Sequence, residues 1–177
     1  MPPAQASNFL PLTARLYEPL WRRRSLGLLT AGRFSTSQEL ATMLEWLALA
    51  PGAKVLDAAC SAGLYARTLL EHDSTLEVHA LDFSLPFLLE ARRLAGRSGL
   101  SPVLVHADAR ALPYREASFD AVVCGGSLNE FLPPETGLRE LVRVLKPGGQ
   151  LWLMFLRPSR SPWGRVLQGS THLLGLR

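Results

Sequence analysis

The stretch VLDAACSAGLYAR, Val55 to Arg67, decides the fold. An apolar run ends in an acid, crosses a tight loop of small residues and enters a helix. A dinucleotide fingerprint would place glycines in the pattern G-x-G-x-x-G. Counted from residue 59, those positions hold Ala59, Ser61 and Leu64, and Gly63 is the one glycine kept in the loop. If the loop needs a positive φ at Ala59 or Ser61, each should cost about 1–2 kcal/mol. If φ stays negative there, the substitutions cost little and only close steric approach is affected. Gly63, at the junction of strand and helix, admits close packing or helix entry.

Outward from this loop the chain alternates. Lys54–Ala59 reads as a strand, residues 64–71 as a helix, residues 76–82 as a strand, and Ser84 caps a helix running to Arg97. Val103–His106 and Phe119–Cys124 are further strands. The helix at residues 135–145 carries Leu138, Leu141, Val142 and Leu145 at spacings of three and four. After the turn Pro147-Gly148-Gly149 comes LWLMFL, residues 151–156, apolar on both faces. Upstream, Ser35 with Gln38, or Thr36 with Glu39, fits a capping box for a helix bearing Leu40, Met43, Leu44 and Leu47 on one face. Strands alternating with helices imply parallel βαβ units, and doubly apolar strands imply helices on both faces. The expected fold is therefore α/β, a Rossmann-like, doubly wound, mostly parallel sheet. The expected parts are an irregular, proline-punctuated N-terminal lid (1–34) with a short helical piece around Leu12–Leu29, a core (35–157) and a tail (158–177).

In such sheets ligands bind beyond the carboxyl ends of the strands. Three successive strands end in Asp57, Asp82 and Asp108. One such acid often only caps a loop. Three together suit a ligand rich in hydroxyl and amine donors. Asp82 follows Asp57 at about the spacing of an acid that binds ribose hydroxyls, and it would repel a 2′-phosphate. These residues point to an adenosine-bearing cofactor, either a nicotinamide dinucleotide or S-adenosylmethionine. The loop favours the second, which has no pyrophosphate to cradle.

Composition sets further bounds. The 177 residues are 47% hydrophobic, enough for one domain with a real core. No apolar run reaches the roughly 18 residues of a membrane span. The N-terminus lacks a basic start and an apolar signal core, so the expectation is a cytoplasmic protein. Cys60 and Cys124 are expected to be reduced core thiols, with no metal site. The net charge of +4 is concentrated at the two ends. No dense basic stripe with interleaved aromatics supports nucleic-acid binding. WRRRS, Trp21–Ser25, reads first as a solvated helix face, and second as contact with an anionic membrane surface or acidic substrate.

The segments VLDAACSAG, ALDFS, HADARALPY, FDAVVCGGSLNEF and LRELVRVLKPGGQLWL occur in an order that resembles class I S-adenosylmethionine-dependent methyltransferases. The chain looks most like their small-molecule branch, which includes the ubiquinone and menaquinone methyltransferases. The resemblance covers about residues 35–157. It implies S-adenosyl-L-methionine as cofactor and a small, apolar or lipidic acceptor. It places Asp57, Ala59 and Gly63 around the methionine moiety, Asp82 on the ribose hydroxyls and Phe83 beside the adenine. Asp108 and the amide of Ala109 would meet the adenine ring. Gly125 and Ser127 would approach the methionine end and the acceptor. Asn129, Glu130 and His106 are the acceptor-side candidates for catalysis. A non-catalytic, methyltransferase-like scaffold acting with a partner is the alternative, and a nicotinamide-dependent oxidoreductase a third reading.

The resembled sheet has seven strands, and strands six and seven find no sequence here after residue 156. The chain is then either a shortened member or an early-ending piece. Strand five would be an apolar edge, an aggregation liability unless covered. Residues 157–177, the N-terminal segment, a second copy or another partner are expected to cover it. Tyr17, Trp21 and Phe34 are expected to lid the site.

Overall fold

The computed structural model describes residues 7–30 and 32–155. The tail and any cover it gives the sheet lie outside the described residues. Five parallel strands, β1 (Lys54–Ala58), β2 (Glu77–Asp82), β3 (Val103–His106), β4 (Phe119–Gly125) and β5 (Leu145–Met154), lie in the order β3-β2-β1-β4-β5. The order reverses at β1, so the loop after Ala58 sits at the topological switch point, where open α/β sheets bind ligands.

Alternation along the strands builds two cores. Val55, Val78, Ala80, Ala121 and Val123 face helices α3 (Thr36–Leu47), α4 (Leu64–His72) and α5 (Leu85–Arg97). Leu56, Ala58, Leu81, Val122 and Cys124 face α6 (Pro134–Arg143) through Leu141. The helix ends follow local chemistry. Ser35 and Gln38 form the capping box of α3, and the Ser84 hydroxyl accepts from the Phe87 amide to start α5. Cys60 and Cys124 are free, buried thiols, and burial holds both above the ordinary thiol range, Cys124 at about 12.

The helical piece expected over residues 12–29 is present and fills the whole of that stretch. Helix α1 (Pro11–Leu16), a π-helical turn (Tyr17–Arg22) and α2 (Arg23–Leu29) run on continuously. Pro19 lies inside the π turn, where it has no N–H for an α-helical bond. The segment packs on α5 and α3 rather than over β5. One face of β5 is covered instead by α3, where Gln150 Nε2 donates to the Trp46 carbonyl at 3.3 Å. Among the described residues no further strand pairs with the outer edge of β5.

Candidate active site

A cleft opens at the carboxyl end of β1. It is lined from below by Asp57, Ala59, Cys60, Ser61, Ala62 and Gly125, and from above by Tyr17, Glu18 and Arg22. Leu64 and Tyr65 from the start of α4 complete it. Between Ala58 and Gly63 no side chain is larger than a thiol, so a ligand can approach the backbone. The opposite wall is equally bare at Gly125, where a Cβ would stand 2.6 Å from the Tyr65 ring.

The loop takes the strained alternative. Ala59 has φ 56° and Ser61 φ 48°, both left-handed. Gly63 also has positive φ, 74°, and a Cβ there would be 3.1 Å from that of Ala91. Asp82 holds the strained turn in place. Its Oδ2 accepts from the Ser61 amide and its Oδ1 from the Ser84 amide, each at 2.8 Å. The loop's shape is thus imposed by a carboxylate under it, which glycine content does not reveal.

Asp57 is almost fully buried and its Oδ2 accepts from the Ala66 amide at 3.0 Å. Burial pushes its carboxyl up to about 7, and the charge of Asp82 adds to the effect. Burial likewise raises Asp82 and Glu130, the latter with help from Asp82. Of these three carboxyls Asp57 lines the cleft, Asp82 lies under its loop and Glu130 is near enough to feel the charge of Asp82, an arrangement that a cation relieves and a phosphate aggravates.

The other sequence candidates fall further out. Asp108 is held below the ordinary carboxylate range by Arg110, whose Nη2 lies 2.7 Å away. His106 places Nε2 2.9 Å from the Phe83 carbonyl oxygen, a structural bond. Phe83 is half exposed and packs edge-on against Phe9. Ala109 is buried. Glu130 and Asn129 lie in the 3-10 turn Leu128–Glu130 after β4, and the side chain of Asn129 lies outside the described residues.

Sequence reasoning missed the polar layer above the cleft. Glu18 and Arg22, both buried, bind the core: Glu18 Oε2 to Arg67 Nη2 at 2.6 Å, and Arg22 Nη2 to Glu39 at 2.9 Å. Glu39 also accepts from the Tyr65 hydroxyl, which Trp152 Nε1 reaches at 3.4 Å. Tyr17 hydrogen-bonds Ser61 through its hydroxyl, which burial holds above its ordinary range. The WRRRS run is thus not simply a solvated face, because Arg22 is a buried partner of α3. A signal existed: Glu39, Met43 and Leu47 share one stripe of α3, an acid in line with core residues.

Comparison with known proteins agrees with this architecture. The methyltransferase domain family matches residues 56–153, more than half of the chain. The chain belongs to that family, and its fold is that of the class I S-adenosylmethionine-dependent methyltransferases. It is 40% identical over 114 residues to the demethylmenaquinone methyltransferase of Thermus thermophilus, covering 64% of this chain and 52% of that protein. The structure of BH2331 from Bacillus halodurans C-125 superposes with TM-score 0.67 at 28% identity, covering 76% of this chain and 58% of that one. The [4+2]-cyclase SpnF shares the fold at TM-score 0.71 and 23% identity, covering 91% of this chain and 62% of that one. The chain spans about half the length of the curated relatives it matches. No helix among the described residues is long and apolar enough to cross a membrane.

Proposed function

We propose that this domain binds S-adenosyl-L-methionine in the cleft beyond β1 and transfers its methyl group to a small apolar acceptor. The observation that carries this reading is the set of raised carboxyls, Asp57, Asp82 and Glu130, around a loop of small residues. That donor set suits a cationic, phosphate-free ligand. When bound, the cofactor supplies an activated methyl group on a positive sulfonium, so transfer depends mainly on alignment.

The chain's own residues then have distinct tasks. Asp57 offers a carboxylate whose ionisation a cation favours. Asp82 keeps lone pairs for ribose hydroxyls while it anchors the Ser61 amide. Phe83, Asp108 and the amide of Ala109 would hold the adenine, with Arg110 competing for Asp108. Gly125 keeps the far wall open. Glu130, raised by burial, is suited to accept a proton if the acceptor must lose one. The N-terminal helices, through Tyr17, Glu18 and Arg22, would exclude water from above. The relatives' names suggest an isoprenoid-quinone precursor as acceptor.

The test is transfer of a radiolabelled methyl group from S-adenosylmethionine to a reduced naphthoquinone or benzoquinone acceptor, followed into the organic phase. Labelled quinone is the expected result, reduced about tenfold or more in Glu130→Gln if that carboxyl takes a proton. Cofactor binding without transfer to any apolar acceptor would favour the second reading, a non-catalytic binding domain. That alternative draws on the Tyr17–Ser61 bond across the mouth of the cleft.

A further inference from the structure

The N-terminal helical run is amphipathic in the unusual direction. Its inward stripe, Ala14, Glu18, Arg22 and Leu26, is spaced by four residues and is buried. Steps of four drift one way around an α-helix and the other way around a π-helix, so the central π turn keeps both stripes straight. The outward stripe, also spaced by four, is Leu12, Leu16, Leu20, Arg24 and Leu28. Its leucines are 67%, 43%, 54% and 70% exposed. Rolling the run over to bury them would strand Glu18 and Arg22, which are tied to Arg67 and Glu39. The leucines therefore cannot be satisfied by the core this segment packs on.

The apolar surface continues onto α5, which packs beside α1 and exposes Leu85 and Leu89. Phe9 and Phe83 bridge the two, with ring centroids 5.8 Å apart. Its ionic setting is cationic. Arg15, Arg23 and Arg24 are exposed on the run, and Arg92 and Arg93 on α5. The acids of these two elements, Glu18 and Glu90, are buried. Arg23 pairs with Glu18 and Arg93 with Glu90, yet the two elements together hold seven arginines against those two acids. Leucines interleaved with such an excess of arginines on one face are what an anionic lipid surface recognises: the apolar side chains enter the acyl boundary while the guanidiniums meet phosphates. A second copy would oppose arginine to arginine. Residues 157–177, with four arginines and no acid, would do the same.

We propose that the face formed by α1, the π turn, α2 and the exposed side of α5 docks this protein on an anionic membrane surface. The inference stands on that face alone and does not depend on the reaction. The experiment is cosedimentation of the whole 177-residue chain with vesicles of phosphatidylcholine, with and without phosphatidylglycerol, at low and high salt. Binding to the anionic vesicles, weakened by salt, is expected. Leu16→Glu with Leu20→Glu should weaken it at least tenfold. Arg15→Gln with Arg24→Gln should weaken it on the order of fivefold per arginine, with far-UV circular dichroism unchanged. If the leucine variant misfolds, the arginine variant and the salt series still decide. No binding, equal binding to neutral vesicles, or a concentration-dependent dimer that the leucine variant abolishes would each overturn the proposal.

Discussion

Ala59 and Ser61 are L-residues in a conformation that favours glycine, and Asp82 keeps them there. Strain of about 1–2 kcal/mol at Ala59 exceeds the roughly 0.5–1 kcal/mol of backbone entropy that glycine would lose. Ala59→Gly should therefore raise the unfolding free energy by up to about 1 kcal/mol, read by urea denaturation; a clear loss of stability would mean that the site is unstrained. Asp57 makes a second prediction. Its folded carboxyl titrates at about 7, above the unfolded value near 4. The folded state therefore holds an extra proton between those values, and stability falls as pH rises through that window. The slope from this group is about 1.4 kcal/mol per pH unit. Asp57→Asn should flatten the stability profile between about pH 4 and 7 by that amount, and an unchanged profile would show that Asp57 ionises freely. Neither property was legible in the residues. Sequence shows which positions lack glycine, but not the φ they adopt or the burial of the acid beside them.

At the scale of elements, buried ion pairs attach the N-terminal run to the core. Breaking one leaves a charge without its partner in a poorly solvated place, which typically costs about 3–5 kcal/mol. In Arg67→Met, Glu18 keeps, among the described residues, only Arg23, an exposed partner at 3.2 Å. The expected outcome is undocking of the N-terminal helices, seen as faster tryptic cleavage after Arg23 and Arg24 while the sheet domain stays folded. Cleavage at the wild-type rate would mean that the helices are held by packing alone. The strands and α3–α6 were legible to within a few residues, because apolar periodicity and caps are local signals. Arg22 and Glu39 were not, because a buried charge pair joins residues whose sequence contexts look solvated. Helix α6 and the turn at Gly148 show the same limit. Lys146–Gly149 fall within β5 as an irregular start, with φ 78° at Gly148, because pairing of Leu145 with Phe119 precedes the regular ladder.

For the whole molecule, the alternation of strands and helices implied a doubly wound sheet, which is found, and a cleft opens at its switch point where the site was expected. The three strand-end acids were legible as a group, yet they part company in space. Asp57 lines the cleft, Asp82 braces the loop, and Asp108 is clasped by Arg110. No pattern of spacing distinguishes an acid that faces a ligand from one that holds a backbone amide. The central claim is that this cleft accepts a cationic adenosyl ligand and rejects a dinucleotide. Isothermal titration of the chain with S-adenosylmethionine, S-adenosylhomocysteine and NAD tests it most directly. The account predicts saturable binding of both adenosyl compounds and none of NAD, with Asp82→Ala weakening the adenosyl ligands by about 1–3 kcal/mol. Binding of NAD alone, or of none of the three, would contradict it.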